Sequence, residues 1–190
     1  MQLHGTISPD RPVLVVALEL EAVALRNLGL PMLVTGAGKV NAAVAVATAI
    51  NVARPSELIN LGTAGGLKDN VTGTHIVSTV LEHDVDDAAI HAIAEVHCSL
   101  PINLSREGLI LATGDRFIAN AQDRQLLAVI ADMADMEGYA IARAARAAGI
   151  PVTLVKEVSD QAGEQAAKSW TETLDECSAS LGAWVHAHLL

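Results

Sequence analysis

The sequence predicts an α/β fold in one domain, with a largely parallel or mixed sheet. Three observations predict it. Short β-branched, apolar runs alternate with Ala-rich segments of helical period along the chain. Several of those runs are apolar without interruption, the pattern of strands covered on both faces. The chain has 190 residues, 51% of them hydrophobic, which suits one domain with a sizeable core and argues against disorder. No repeat, low-complexity tract or linker divides it.

The elements follow in order. Pro12–Leu18 (PVLVVAL) reads as a buried strand. Glu19–Leu25 reads as a helix start, where acids favour the first turn. Met32–Thr35 is a short strand, followed by Gly36-Ala37-Gly38-Lys39 and an Ala/Val-rich helix over Val40–Val52. Glu57–Leu61 is a buried strand that runs into a loop, Gly62–Gly66. His75–Leu81 alternates as a strand does. His83–Leu104 has no regular pattern. Leu109–Ala112 is a strand before Thr113–Ile118, Asp123–Ala128 reads as helical, and a strand falls near Val129–Met133. Ala140, Ile141, Ala144, Ala145 and Ala148 share one helical face, with Arg143 and Arg146 off it. Gly149 and Pro151 stop that helix, and Val152–Val158 reads as a buried strand. The last helix covers Gln165–Leu189, with a stripe of Leu174, Cys177, Leu181, Trp184, Val185 and Leu189.

Asp135–Asp160 is thus an acid–helix–strand–acid unit. Glu137 opens its helix and Asp160 ends its strand, so a crossover can bring both carboxylates to one side of a sheet. Ligands of such sheets bind beyond the carboxyl ends of strands. That rule gathers Glu19 and Glu21, Gly62–Gly66, Thr113–Ile118, Ser159 with Asp160, and Met136 with Glu137.

Composition narrows the partners. Lys+Arg 12 against Asp+Glu 22 gives a net charge of −10, which argues against a nucleic-acid backbone. The only aromatic residues are Phe117, Tyr139, Trp170 and Trp184, too few for a single-strand stacking platform. Cys98 and Cys177 have no metal-knuckle or disulfide spacing and read as free thiols of a reducing cytoplasm. The N-terminal residues carry no basic start with an apolar block, so no secretory leader is expected. Val40–Ala53 is too short and too polar to span a membrane.

The glycine motifs differ in what they permit. Gly36-Ala37-Gly38-Lys39-Val40-Asn41 has Asn41 where a dinucleotide fingerprint needs its third glycine, and it follows the second strand. It reads as a tight helix-packing turn or a loop lining a site. No phosphate-binding GxxxxGK[ST] occurs, and no GxSxG elbow. Gly62-Thr63-Ala64-Gly65-Gly66 lets a ligand approach the backbone closely, at Thr63, Ala64 and Gly65. His83-Asp84-Val85-Asp86-Asp87 has ligand-type residues without a metal template and reads as a solvated loop, so no metal and no cofactor are expected.

Six motifs recur in one order from about residue 13 to 189: Leu18-Glu19-Leu20-Glu21, the Gly36–Asn41 turn, Asn60–Gly66, Thr113–Ile118, Asp135-Met136-Glu137-Gly138, and Val158-Ser159-Asp160. In that order the chain resembles the nucleoside phosphorylase superfamily, in its 5′-methylthioadenosine/S-adenosylhomocysteine nucleosidase branch. The resemblance implies a single three-layer α/β/α domain over residues 1–190 around a central twisted mixed sheet. It also implies a homodimer and hydrolysis of a purine nucleoside by water. Glu21 would activate the water, and Thr63 holds the place of a small hydroxyl residue beside it. Phe117 would stack on the base and Ile118 would read its edge. Met136 would pack on the ribose, Glu137 would hold its hydroxyls, and Asp160 would protonate or hydrogen-bond the purine N7. Ser159 belongs to the same motif. Lys156, also placed at the substrate, stands where these nucleosidases carry an arginine; it keeps the charge and loses the fork.

Cleaving an N-glycosidic bond builds positive charge on the sugar and negative charge on the base, which an acid at one end and a carboxylate at the other both favour. Phosphorylases need Arg donors for phosphate, and the first strand here ends in Leu18-Glu19-Leu20-Glu21 instead. Residues 29–35 and 84–104 are shorter than the family pattern, so the 5′-group is not implied. A futalosine-type nucleoside, or a nucleoside-binding relative without turnover, fits the same motifs.

Overall fold

The computed structural model describes residues 1–190. In chain order its elements are β1 (Gln2–His4), β2 (Val13–Val16), β3 (Met32–Val34), α1 (Lys39–Val52), β4 (Leu58–Gly66), β5 (Gly73–Glu82) and α2 (Asp87–Ala94). Then follow β6 (Ile102–Asn103), β7 (Leu109–Thr113), α3 (Ala121–Leu127), β8 (Met133–Asp135), α4 (Gly138–Ala148), β9 (Val152–Asp160) and α5 (Ala166–Leu189).

All nine strands belong to one mixed sheet. The β1–β3–β2–β4 wing pairs antiparallel at β1 and parallel thereafter. Beyond it the ladder closes on itself: β4 pairs β9, β9 pairs β5, β5 pairs β7, β7 pairs β8, and β8 returns to β4. Closure removes sheet edges from the middle of the molecule. The expected α/β fold with a mixed sheet is observed, and the ring adds a feature that strand patterning does not contain.

Strand alternation explains the layers. Val13, Val15, Leu33 and Leu58 pack against α1 and α4 through Ala42, Val46, Ile141 and Ala145. Leu14, Val16, Met32, Ile59 and Val155 face the other way, onto Leu181 and Val185 of α5. Strands β2 and β3 and the start of β4 are therefore covered on both sides, as their unbroken apolar runs require.

Four sequence expectations are corrected. Glu19–Leu25 forms consecutive turns instead of a helix start, with bonds Glu21 N–H to Leu18 O (3.1 Å) and Leu25 N–H to Ala22 O (3.0 Å). Ser178 explains the interruption: its Oγ accepts from Ala24 N–H at 3.0 Å and donates to Glu21 O at 2.9 Å. Gly62–Gly66 is no loop; β4 runs through it, paired to β9 with a register shift at Ala64/Gly65 and then to β8. The strand expected near Val129–Met133 begins only at Met133, because residues 128–131 close α3 by bonds to Arg124 and Leu127 carbonyls. Finally, 84–104 contains α2 and β6, with Asp86 capping α2 through Ala89 N–H at 2.9 Å.

Candidate active site

A cavity of about 400 Å³ opens where β2, β4, β8 and β9 end, a size usual for small-molecule sites. Glu21, Thr63, Ala64 and Gly65 line it from β4 and the turn after β2. Phe117 and Ile118 line it from the segment after β7, Met136 and Glu137 from the segment after β8, and Ser159 and Asp160 from the end of β9. Ten of the eleven residues singled out in the sequence thus share one cavity. Lys156 does not line it; its side chain lies beneath, 2% exposed.

Glu21 is buried and faces three donors. Its Oε1 accepts from Thr63 N–H (2.9 Å) and Thr63 Oγ1 (2.9 Å), and its Oε2 accepts from Leu18 N–H (3.1 Å). An acceptor-only carboxylate is the group such a set suits. Gly62 makes room for this arrangement: a Cβ there would stand 3.3 Å from Lys156 Nζ and 3.5 Å from Glu21 Oε1. Glu19, which shares the motif, points to the surface and pairs with His4 (2.8 Å) and Arg26 (2.6 Å).

Asp135 organises the floor. One carboxylate oxygen accepts from Thr113 Oγ1 at 2.6 Å, and the other from Gly138 N–H at 2.8 Å and Lys156 Nζ at 2.9 Å. Thr113 Oγ1 in turn accepts from Tyr139 N–H at 2.9 Å. Two free N–H groups of the first turn of α4 are thereby satisfied without Glu137. Glu137 is left free to turn toward the cavity mouth, where it accepts from Gly38 N–H at 2.7 Å. Gly38 reaches this position with φ +92°, a conformation that favours glycine. The Gly36–Lys39 turn therefore borders the site as well as opening α1.

The electrostatics follow from burial. Burial and the neighbouring Asp135 charge push the Glu137 carboxyl up to about 7, against the opposing pull of Lys156 and the Gly38 N–H. For Lys156, burial disfavours the ammonium. The charges of Asp135, Glu137 and Glu21 and the hydrogen bond to Asp135 outweigh it, so its pKa ends above the ordinary value. One buried cation thus serves three acids.

Asp160 lines the same cavity from the end of β9. Its Oδ2 accepts from Ser159 Oγ and its Oδ1 from Ala162 N–H, each at 2.8 Å. Phe117 is half-exposed at the rim, while Ile118 is buried. Ala167, Trp170 and Thr171 of α5 complete the lining. Sequence reasoning missed these three, since the helical stripe it used begins at Leu174. It also gave Asp135 no role, although an acid three residues before a helical N–H is a recognisable capping signal.

The His83–Asp87 cluster spends its acids internally. Asp84 accepts from Lys39 Nζ at 2.5 Å and from Asp115 N–H at 2.8 Å. Asp87 takes His97 at 2.7 Å and the N–H groups of Cys98 and Ser99. No helix of the protein is long and apolar enough to cross a membrane.

Solved structures with this architecture include a futalosine hydrolase and a nucleosidase. A futalosine hydrolase mutant of Helicobacter pylori superposes with a TM-score of 0.83 at 17% identity, covering 93% of this chain and 97% of that one. The H. pylori 5′-methylthioadenosine/S-adenosylhomocysteine nucleosidase, complexed with a substituted pyrrolidin-3-ol, gives a TM-score of 0.83 at 18% identity, covering 96% and 98%. At those identities the likeness is one of fold. The sequence profile of the Phosphorylase superfamily matches residues 27–96 and 81–187, and the chain belongs to that superfamily. Its relatives include the 5′-methylthioadenosine/S-adenosylhomocysteine nucleosidase of an Exiguobacterium species (strain AT1b), 32% identical over 189 residues, covering 86% of this chain and 81% of the relative. The nucleosidase of the same name from Bacillus cereus is 29% identical over 175 residues, covering 77% and 74%.

Proposed function

We propose that this protein hydrolyses the N-glycosidic bond of a purine nucleoside of the methylthioadenosine/adenosylhomocysteine type. The observation that carries the reading is one cavity lined by Glu21, Glu137 and Asp160 together, in a chain whose relatives are nucleosidases. In this reading the C1′–N bond breaks with its electron pair leaving on the base. Asp160 gives a proton or a hydrogen bond to N7 as charge builds there. A water adds to C1′ and passes its proton to Glu21. Glu137 accepts from the ribose hydroxyls beside Met136, and Phe117 with Ile118 receives the base. Lys156 acts from below, through its ion pair with Asp135. No metal or cofactor enters these steps.

Base release tests the reading. Methylthioadenosine, adenosylhomocysteine, deoxyadenosine, inosine and aminodeoxyfutalosine are incubated with and without phosphate, and products are separated. Free purine and free sugar from a thioether adenosine, at a rate phosphate leaves unchanged, is the expected result. Ribose 1-phosphate as the product would make the protein a phosphorylase instead. We further propose a homodimer in the cytoplasm. Val40 and Val44 stand exposed on α1, and Cys98 and Cys177 are both free thiols. Light scattering after size exclusion measures the assembly.

A further inference from the structure

The hydroxyl of Thr63 stands between two partners of opposite kind. Trp170 Nε1 donates to Thr63 Oγ1 at 2.9 Å, and Thr63 Oγ1 lies 2.9 Å from Glu21 Oε1. An indole N–H can only donate, so it occupies a lone pair of the hydroxyl. Thr63 has one hydroxyl proton, and the carboxylate is the acceptor left for it. The chain of bonds therefore has one polarity, from indole to hydroxyl to Glu21. It joins α5 to β4 and to the turn after β2, and Trp170 also forms cavity wall.

We propose that Trp170 is a positioning residue for the water-activating side of the site. It acts through Thr63, fixing the hydroxyl so that its proton goes to Glu21 Oε1. With Thr63 N–H on the same oxygen, Oε1 is saturated from the protein. Oε2 has the single Leu18 N–H donor and keeps the capacity to receive a water proton. Without the indole N–H, the Thr63 hydroxyl is free to rotate and to compete for that water. This proposal rests on the nucleosidase reading above.

Trp170→Phe tests it, because an aromatic ring, smaller than the indole, stays in the apolar wall while the N–H donor is lost. The expected result is a fall in kcat of about 5- to 30-fold, the worth of one hydrogen bond at a buried polar group, with KM unchanged. Thr63→Val cuts the same chain at its middle. The double variant should be no slower than Thr63→Val alone, since the two changes share one route. An unchanged kcat in Trp170→Phe, or losses that multiply in the double variant, would overturn the proposal.

A spectroscopic readout is independent of turnover. Trp170 and Trp184 are the only tryptophans, so an amide-type nitrogen–proton spectrum shows two indole peaks. Trp184 stacks on His188 at 4.4 Å on α5, and Trp184→Phe assigns the pair. Thr63→Val should move the Trp170 peak and leave the other in place. If the wild-type protein releases no base from any nucleoside while that peak moves, the nucleosidase reading fails and the hydrogen-bond chain stands. If base is released and the peak does not move, the chain is wrong.

Discussion

Asp160 meets the cavity with its two oxygens held by Ser159 and Ala162. Asparagine in its place keeps the shape and removes the acid. Asp160→Asn should lower kcat/KM for base release at least ~10²-fold, with an unchanged circular dichroism spectrum. Retained turnover would remove Asp160 from the chemistry. Glu137 makes a pH prediction. Its carboxyl titrates at about 7, and only the carboxylate accepts from both ribose hydroxyls. Affinity for a ribonucleoside should therefore be full above pH 7 and weaken as pH falls through it, read as a rising KM. Glu137→Gln should flatten that dependence. The sign for stability is opposite. The folded protein holds this proton above the pH where the unfolded chain loses it, so raising pH from 4.5 to 7 destabilises the fold through this group. At this scale the acids were legible in the sequence because each ends or begins an element. Lys156 was placed at the substrate by resemblance alone, as the position where the nucleosidases carry an arginine. Its alternation along β9 instead turns it under the floor, toward Asp135.

The elements explain why the site holds its shape. The turn carrying Glu21 has no helical ladder and depends on α5. Ser178, 2% exposed, bonds both Glu21 O and Ala24 N–H. Ser178→Ala leaves the buried Glu21 carbonyl and the half-buried Ala24 N–H without that partner and should cost about 1–3 kcal/mol, seen as a lower Tm in thermal melts. Base release should fall further than stability alone explains, since Glu21 moves with the turn. The sequence showed the long helices and buried strands well, because their periods are sustained over many residues. It failed at Glu19–Leu25, where a side chain more than 150 residues away takes the bond a helix would use. It failed again at Gly62–Gly66. Glycines there suggested a loop, yet partners on both sides keep the segment extended, and its small residues admit Lys156 and Glu21 close to the backbone.

Across the molecule, Lys156 and Asp135 form an ion pair with almost no exposure. Lys156→Met would leave Asp135 buried and uncompensated, at a cost of about 3–5 kcal/mol. The double variant Lys156→Met, Asp135→Leu should recover only part of that stability in denaturant melts, since Thr113 and Gly138 lose their acceptor, and should not recover activity. A fully stable single variant would show the pair to be dispensable. The fold class was legible from alternating runs, but ring closure was not, because pairing β9 to both β4 and β5 leaves no local mark in either strand. That ring divides the chain by its tolerance of length. β4 is paired to β2, β9 and β8 along its course, so one inserted residue would turn every later side chain to the opposite face. Residues 88–98, most of α2 and the turn after it, stand exposed outside the ring. Homologous chains can thus lengthen or trim that stretch freely, while the strand beside Glu21 and Asp160 must keep its residue count. Deletion and insertion libraries should recover folded protein from the first region and almost none from the second.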